Sequence, residues 1–410
     1  MKNNNKEKLV PKLRFNEFEG EWKETKLCDI AIFEKGKNIS KKDVSKNGDL
    51  ECIRYGELYT KYKEIINKVY SKTDLNKETL VLSKSGDVLL PSSGETAIDI
   101  ASASCVNKDN VALGGDINII RSNINGNFLA YYLSNKKRKE VARLAQGISV
   151  IHLYKSHLQS LKVNLPSPKE QQKISSFLSL IDKKIELLKK KKELLESYKK
   201  GVMQKIFNQE IRFKDKNGNN YPEWEEKRLG EICKIVKSGG TPRSTESQYY
   251  DGDIHFLSIN DMTQQGKYLN STQRYITEEG LDNSSSWLVP EDSIIYSMYA
   301  SVGFVSINKI PVATSQAVLN LIPKREVVRE YLYYYLDYFR RFVHRFIETG
   351  TQGNLNAQIV KNFRIPMPAN MEQGKIAAKM SLIDEKLGKT EDLIYYTELS
   401  KRGLLQKMFI

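Results

Sequence analysis

Long hydrophobic runs are missing from this 410-residue chain. Nowhere do 18 consecutive apolar residues occur, so no segment reads as a membrane-spanning helix. The amino terminus, Met1-Lys2-Asn3-Asn4-Asn5-Lys6, lacks the apolar core of a secretory signal. Cysteine is scarce: Cys28, Cys52, Cys105 and Cys233 stand far apart without C-x-x-C spacing, so neither a zinc site nor a disulfide framework is expected. A reducing cytoplasm is the expected compartment. Phosphate-cradling loops of the G-x-x-x-x-G-K-[ST] and G-x-G-x-x-G types are absent, and the pairs Gly114-Gly115 and Gly239-Gly240 read as tight turns. The four histidines, His152, His157, His255 and His344, gather with no acidic cluster and read as structural, with no metal ligand set. The Asp- or Asn-Pro-Pro-Tyr run with which amino-methyltransferases hold a flipped base does not occur. Triplets such as Glu21-Trp22-Lys23 arise by chance in so charged a chain. No catalytic residue is expected.

What the chain has in excess is positive charge. Lys and Arg number 65 against 50 Asp and Glu, a net +15. Such a surface attracts polyanions, and nucleic acid is the leading candidate; an acidic membrane fits less well, because the lysines are spread over the whole length. With 40% apolar and 10% aromatic residues, the composition is that of an ordered globular protein.

The most informative feature is a tandem repeat. Glu170-Gln171-Gln172-Lys173-Ile174 matches Glu372-Gln373-Gly374-Lys375-Ile376, and Ser179-Leu180-Ile181-Asp182 matches Ser381-Leu382-Ile383-Asp384. Gln204-Lys205-Ile206-Phe207 matches Gln406-Lys407-Met408-Phe409 in the same register, as does Glu21-Trp22 with Glu223-Trp224. A period this long means two copies of a domain plus a connector rather than a solenoid.

Within each connector the apolar residues follow a 4-3 spacing: Ile174, Leu178, Ile181, Ile185, Leu188, Leu195, Val202 and Ile206, then Ile376, Met380, Ile383, Leu387, Ile394, Leu404 and Met408. This is a coiled-coil seam, with Lys192, Lys199, Thr390, Thr397 and Lys401 in its weaker slots. Each helix should be about 55 Å long. Packing the two against each other covers both stripes most economically, and packing each on its own globular domain is the alternative. Pro166 and Pro168, and Pro366 and Pro368, mark the helix starts.

Between the connectors lie regions that differ in their interiors. Val88-Leu89-Leu90, Ile117-Asn118-Ile119-Ile120, Ile294-Ile295-Tyr296 and Leu319-Asn320-Leu321-Ile322 read as buried strands, and the tyrosine-rich helices near residues 128–133 and 331–336 have the spacing of core elements. Ser238-Gly239-Gly240-Thr241 has only a loose counterpart in Lys35-Gly36-Lys37-Asn38. The expected fold is mixed α/β (α+β): two globular domains joined by two long coiled-coil helices. The expected bounds are an arm over 1–25, a domain over 26–150, a connector over 151–207, a linker over 208–227, a domain over 228–353 and a connector over 354–410.

The order of these elements, Leu165-Pro166 or Ile365-Pro366-Met367-Pro368 leading into Glu-Gln-x-Lys-Ile and Leu-Ile-Asp, resembles the specificity subunit of type I restriction-modification enzymes. Pro11-Lys12-Leu13-Arg14-Phe15 and the Ser-Gly-Gly-Thr-Pro at 238–242 are similar too. The resemblance implies a non-catalytic subunit with two target-recognition domains, each reading half of a bipartite, asymmetric double-stranded DNA site, and two long helices paired antiparallel, which relate the domains by an internal pseudo-two-fold. It implies modification subunits that carry S-adenosylmethionine and restriction subunits that use ATP and Mg, with no cofactor held by this chain itself. Helices of this length would place two readers about one duplex turn apart, near 34 Å. Candidate DNA contacts are Lys37, Lys41, Lys42, Arg54, Tyr55 and Glu57 in the first region and Thr241, Arg243, Ser244, Ser258, Asn260 and Asp261 in the second, polar residues after corresponding strands. A coiled-coil adaptor that binds nucleic acid without sequence preference is the alternative.

Overall fold

The computed structural model describes residues 8–147, 150–347 and 354–410; the terminal stretch 1–6 and the boundary at Gly353 lie outside them. The chain forms two compact units, Met1–Lys190 with Glu391–Ile410, and Lys191–Thr390. Each is built on a mixed five-stranded sheet of the same strand order. In the first unit the neighbours are Ala31–Lys35, Ile117–Ser122, Asp87–Pro91, Ser104–Val106 and Ile65–Ile66; in the second they are Cys233–Ser238, Val318–Pro323, Ile294–Ser297, Val305–Asn308 and Tyr268–Leu269. Only the last pair in each sheet is parallel.

The strands expected to be buried are adjacent and central. Both faces are covered, which is why they read as unbroken apolar runs rather than alternating ones. A buried asparagine interrupts each run, and its side-chain N–H donates inside the domain: Asn118 Nδ2 to the Leu153 carbonyl at 2.9 Å and Asn320 Nδ2 to Thr314 Oγ1 at 2.8 Å, while the Asn320 Oδ1 is left without a partner. The helices Gly126–Asn135 and Arg329–Phe339 pack against these sheets, with Tyr131, Tyr132, Tyr331 and Tyr334 fully buried. The tyrosines are core, as their spacing indicated.

The second sheets differ. The first unit has five short strands, Val44–Ser45, Ser71–Thr73, Leu50–Ile53, Ala112–Leu113 and Val81–Leu82, and the second has three, Arg274–Ile276, Tyr250–Leu257 and Ala313–Thr314. An antiparallel ribbon closes each unit: Lys23–Lys26 pairs with Lys162–Leu165, and Glu225–Arg228 with Arg364–Met367.

Directly after each ribbon comes a long helix, Pro168–Phe207 and Asn370–Met408. Pro168, expected just outside, is the first helical residue, where its missing N–H deprives the helix of nothing. The Glu-Gln of the repeat anchors each helix start. Glu170 is 1% exposed and accepts both Arg14 Nε and Nη2 at 2.8 Å, with Trp22 Nε1 at 3.4 Å; Glu372, fully buried, accepts Arg212 Nη2 and Trp224 Nε1 at 3.0 Å. A buried carboxylate costs several kcal/mol unless paired in this way. Gln171 Nε2 donates to the Pro166 carbonyl and Gln373 Nε2 to that of Pro368, both at 2.9 Å. Their Oε1 atoms take the backbone N–H of Asn125 and Val328, just ahead of the tyrosine helices.

The division between units falls inside both long helices. In the first unit Ile174, Leu178, Leu405, Met408 and Phe409 share one core, and in the second Met203, Ile206, Ile376, Met380 and Ile383 do. Within the first unit the helices run antiparallel, since Asp182 pairs with Lys401 at 2.8 Å and Lys189 with Glu398 at 2.6 Å. Ile185 is buried as well, and the other seam residues, Ile181, Leu188, Leu195, Leu387 and Ile394, are half-buried. Each helix start therefore sits in a domain core, and within each unit the end of the other long helix joins that same core.

The slots read as weak are the specific ones. Lys401 reaches Asp182, and in the second unit Lys199 reaches Asp384 at 2.7 Å, with Tyr131 and Tyr334 each donating a 2.5 Å hydrogen bond to the second carboxylate oxygen. A charged pair in an apolar seam fixes register, because any slip strands the charge.

Candidate functional site

In each unit one strand of the second sheet runs parallel to a neighbour, Leu50–Ile53 beside Ala112–Leu113 and Tyr250–Leu257 beside Ala313–Thr314. Beyond its end lies a short helix, Glu57–Thr60 or Ile259–Gln265. The candidate segments meet at this corner. The Lys37 N–H donates to the Leu113 carbonyl at 3.0 Å, Gly114 N to Ile53 O at 2.9 Å and Gly115 N to Asn38 O at 2.5 Å, so the 36–40 loop crosses the end of the parallel pair. In the second unit Gly240 N donates to Thr314 O at 2.9 Å, bringing the 239–241 loop to the same place.

The crossing is close enough to require glycine. A Cβ on Gly36 would lie 2.0 Å from the Gly114 carbonyl oxygen, and one on Gly239 would lie 1.8 Å from that of Thr314. The loose sequence similarity therefore conceals one shared role. Asn38 and Ile39 both take φ near +55°, a conformation that costs a β-branched residue energy the surrounding fold must supply.

Glu57 and Asp261 differ from the other candidates. Both are buried, at 2% and 1% exposure, with their oxygens committed inside the domain. Glu57 accepts Lys61 Nζ, Ser71 Oγ and the Arg54 N–H; Asp261 accepts the Ser258 N–H and hydroxyl and the Gln273 N–H. Burial alone would raise the Glu57 carboxyl, but the hydrogen bonds from Lys61, Ser71 and Arg54 hold it below the usual carboxylate range. These two acids shape the corner. Ser258 shares that role, its hydroxyl also capping the following helix.

The remaining candidates face solvent or border it. Lys37, Lys41, Lys42 and Tyr55 are exposed and Arg54 half-buried in the first unit; Thr241, Arg243, Ser244 and Asn260 are exposed in the second. Thr241 Oγ1 donates to Gln316 Oε1 at 2.6 Å, and Asn260 Nδ2 lies 3.3 Å from Gln273 Oε1, which in turn donates through Nε2 to Gln264 Oε1 at 2.9 Å. The first corner presents cations and a phenol; the second presents amides, hydroxyls and one guanidinium. Cations suit phosphate oxygens, and amides suit base edges.

Sequence reasoning missed Arg14 and Arg212, which hold the buried glutamates. They repeat at a spacing of 198, not 202, because the loop between arginine and tryptophan is four residues longer in the second copy. The shared Arg-Phe pair, Arg14-Phe15 and Arg212-Phe213, was the available signal. Among the described residues no group of three or more His, Cys, Asp and Glu comes together as a metal site would need. Burial raises the Cys105 and Cys233 thiols to about 12. No described helix is long and apolar enough to cross a membrane.

The family model for the type I restriction modification DNA specificity domain matches residues 19–197 and again 221–394. Among curated relatives, the type I restriction enzyme MjaIX specificity subunit of Methanocaldococcus jannaschii is 31% identical over 183 residues, 44% of this chain and 42% of the relative. The MjaVIII specificity subunit of the same organism is 25% identical over 89% of this chain and 86% of its own. A type I restriction-modification S subunit from M. genitalium superposes with a TM-score of 0.62 at 18% identity, covering 98% of this chain and 99% of that one. The HsdS subunit of Thermoanaerobacter tengcongensis gives 0.51 at 16% identity over 94% and 95%. With its duplicated frame, its two long helices and a family match over both halves, the chain belongs to the type I restriction-modification specificity subunits.

Proposed function

We propose that the chain reads a bipartite, asymmetric sequence in double-stranded DNA, one half-site per unit, and performs no chemistry itself. The observation that carries this reading is the contrast between frame and corner. The same Arg-Glu-Trp clasp, sheet order and glycine crossing recur in both units, while the side chains presented at the corner do not. A conserved mount with exchanged contents is what a two-part reader of unlike half-sites needs. Methylation of adenine from S-adenosylmethionine, and ATP- and Mg-dependent translocation, fall to modification and restriction subunits in the cytoplasm.

Those subunits would dock on exposed apolar positions of the long helices. In the first unit these include Leu180 at 65% and Leu187 at 57% exposure, and in the second Leu194 at 63% and Tyr198 at 50%. Side chains of this size left in water mark interaction surfaces when they cluster.

Mapping methylated adenines in the host and then exchanging residues 26–150 for the same region of a relative tests the reading. One half of the methylated site should change while the other half and the spacer persist. A change in both halves, or in neither, defeats it. Equal affinity for the mapped site and for scrambled duplex at fixed salt would favour the non-specific adaptor instead.

A further inference from the structure

The segment Arg340–Phe346, with sequence Arg-Arg-Phe-Val-His-Arg-Phe, is a 3-10 turn that follows the second tyrosine helix. Three of its guanidiniums lie on aromatic faces: Arg340 is 4.9 Å from the Phe304 ring centroid, Arg341 4.3 Å from Tyr338, and Arg345 5.1 Å from Phe342. All three arginines are exposed. None forms an ion pair with an acidic side chain among the described residues. Asp337, whose carboxyl feels Arg340 and Arg341, is pushed upward by burial rather than drawn into a bridge.

Stacking of this kind matters because it fixes the planes of the guanidiniums before any ligand arrives. The rings restrict the side chains' freedom; Arg341 Nε also donates to the Tyr338 carbonyl at 3.2 Å, and all three residues remain exposed to solvent. Planar, pre-set, unpaired guanidiniums match phosphate oxygens, and three within six residues match a run of phosphates better than an isolated one. The first unit places Lys137 and Arg138 at the equivalent point after its own tyrosine helix, but there Lys137 pairs with Glu140 at 2.7 Å and Arg138 donates to the Ile98 carbonyl at 3.3 Å, so the unpaired arginines are a feature of the second unit.

We infer that Arg340, Arg341 and Arg345 form a phosphate-backbone contact for duplex DNA, a site that supplies affinity without reading sequence. The inference rests on the DNA-binding reading above. It separates two jobs within one unit: the corner discriminates bases, and the arginine turn holds the strand.

The test is the salt dependence of DNA binding by the full chain. Each neutralised phosphate contributes about 0.9 to the slope of log K against log salt, so Arg340→Gln, Arg341→Gln and Arg345→Gln together should lower the slope by about 2.7. Between 50 and 200 mM salt the wild type should then lose about 40-fold more affinity than the triple variant. The loss should be equal on the mapped site and on scrambled duplex, because phosphates carry no base identity. If the triple variant melts early, Arg345→Gln alone carries the test, with an expected fall of about 0.9.

An unchanged slope overturns the inference, as does a loss confined to the mapped site, and as does lost association with a modification subunit at unchanged slope. A lower slope in the triple variant, together with a wild-type chain that has no preference for the mapped site, would defeat the sequence-reading function and leave the backbone contact standing. A wild-type chain that does not bind duplex DNA at all ends both.

Discussion

Replacing Glu170 with glutamine tests the anchoring of each long helix. The substitution keeps the shape of the side chain and one acceptor oxygen, and it removes the charge that faces Arg14 across two 2.8 Å hydrogen bonds. Arg14 would keep the Gly20 and Glu19 carbonyls as acceptors, so its guanidinium is not wholly stranded. Severing a buried pair outright costs about 3–5 kcal/mol. With those acceptors remaining and the Arg14 side chain 14% exposed, we expect about 2–3 kcal/mol, close to the value of a lost charge-assisted hydrogen bond. For a unit of this size that corresponds to about 5–10 °C in Tm. Glu372→Gln removes the corresponding bonds in the second unit and should cost a similar amount. Since each clasp closes within its own unit, the double variant should be additive within about 0.5 kcal/mol. Calorimetry and urea titration of the three variants provide the measurement, and Glu17→Gln, at a solvent-exposed pair with Lys173, is the control that should leave Tm unmoved. A shift no larger than the control's in both single variants would show that the clasp does not hold the helices.

Lys401→Met leaves Asp182 and Glu64 without their shared cation and should destabilise the first unit by about 2–3 kcal/mol; Asp182→Asn in the same chain should recover about 1 kcal/mol of this in a double-mutant cycle. Gly36→Ala and Gly239→Ala force a Cβ into a carbonyl oxygen, so both should reduce soluble yield and Tm, whereas Gly388→Ala, with nothing within 4 Å of its new Cβ, should stabilise by about 0.5–1 kcal/mol. The Glu57 carboxyl is held below its ordinary value of 4.5 in the folded chain, so its contribution is complete above that value and drains away as pH falls through the lower folded one. Glu57→Gln should therefore flatten the acid limb of a stability–pH curve, and an unchanged limb would contradict the hydrogen bonds assigned to it.

Much of this was readable in the chain itself. The repeat and the seam spacing announce two domains and two long helices, because core positions repeat with the geometry of the element that buries them. Less visible were contacts that depend on what stands opposite. Lys199 and Lys401 occupy seam slots where apolar residues are expected, and only a facing aspartate turns such a slot into a register lock. Glu57 and Asp261 look like polar loop residues; the Ser258-x-x-Asp261 spacing of a capping box was the clue that the second acid faces inward. Arg14 and Arg212 escaped because a short insertion shifts their register against the rest of the repeat.

The last twenty residues complete the first unit: Leu405, Met408 and Phe409 enter the core that holds Trp22 and Phe128, and the Lys407 carbonyl accepts the Leu13 N–H. On the ribosome, the amino-terminal half therefore emerges with its hydrophobic interior open and must wait for roughly 200 further residues, about 10–40 s at ~5–20 residues per second. A nascent chain in that interval exposes apolar surface and is a natural client for chaperones, and a product of premature termination never closes. Synthesis through Phe409 is thus a proofreading step, in which only a chain that reaches these residues completes its first-made domain.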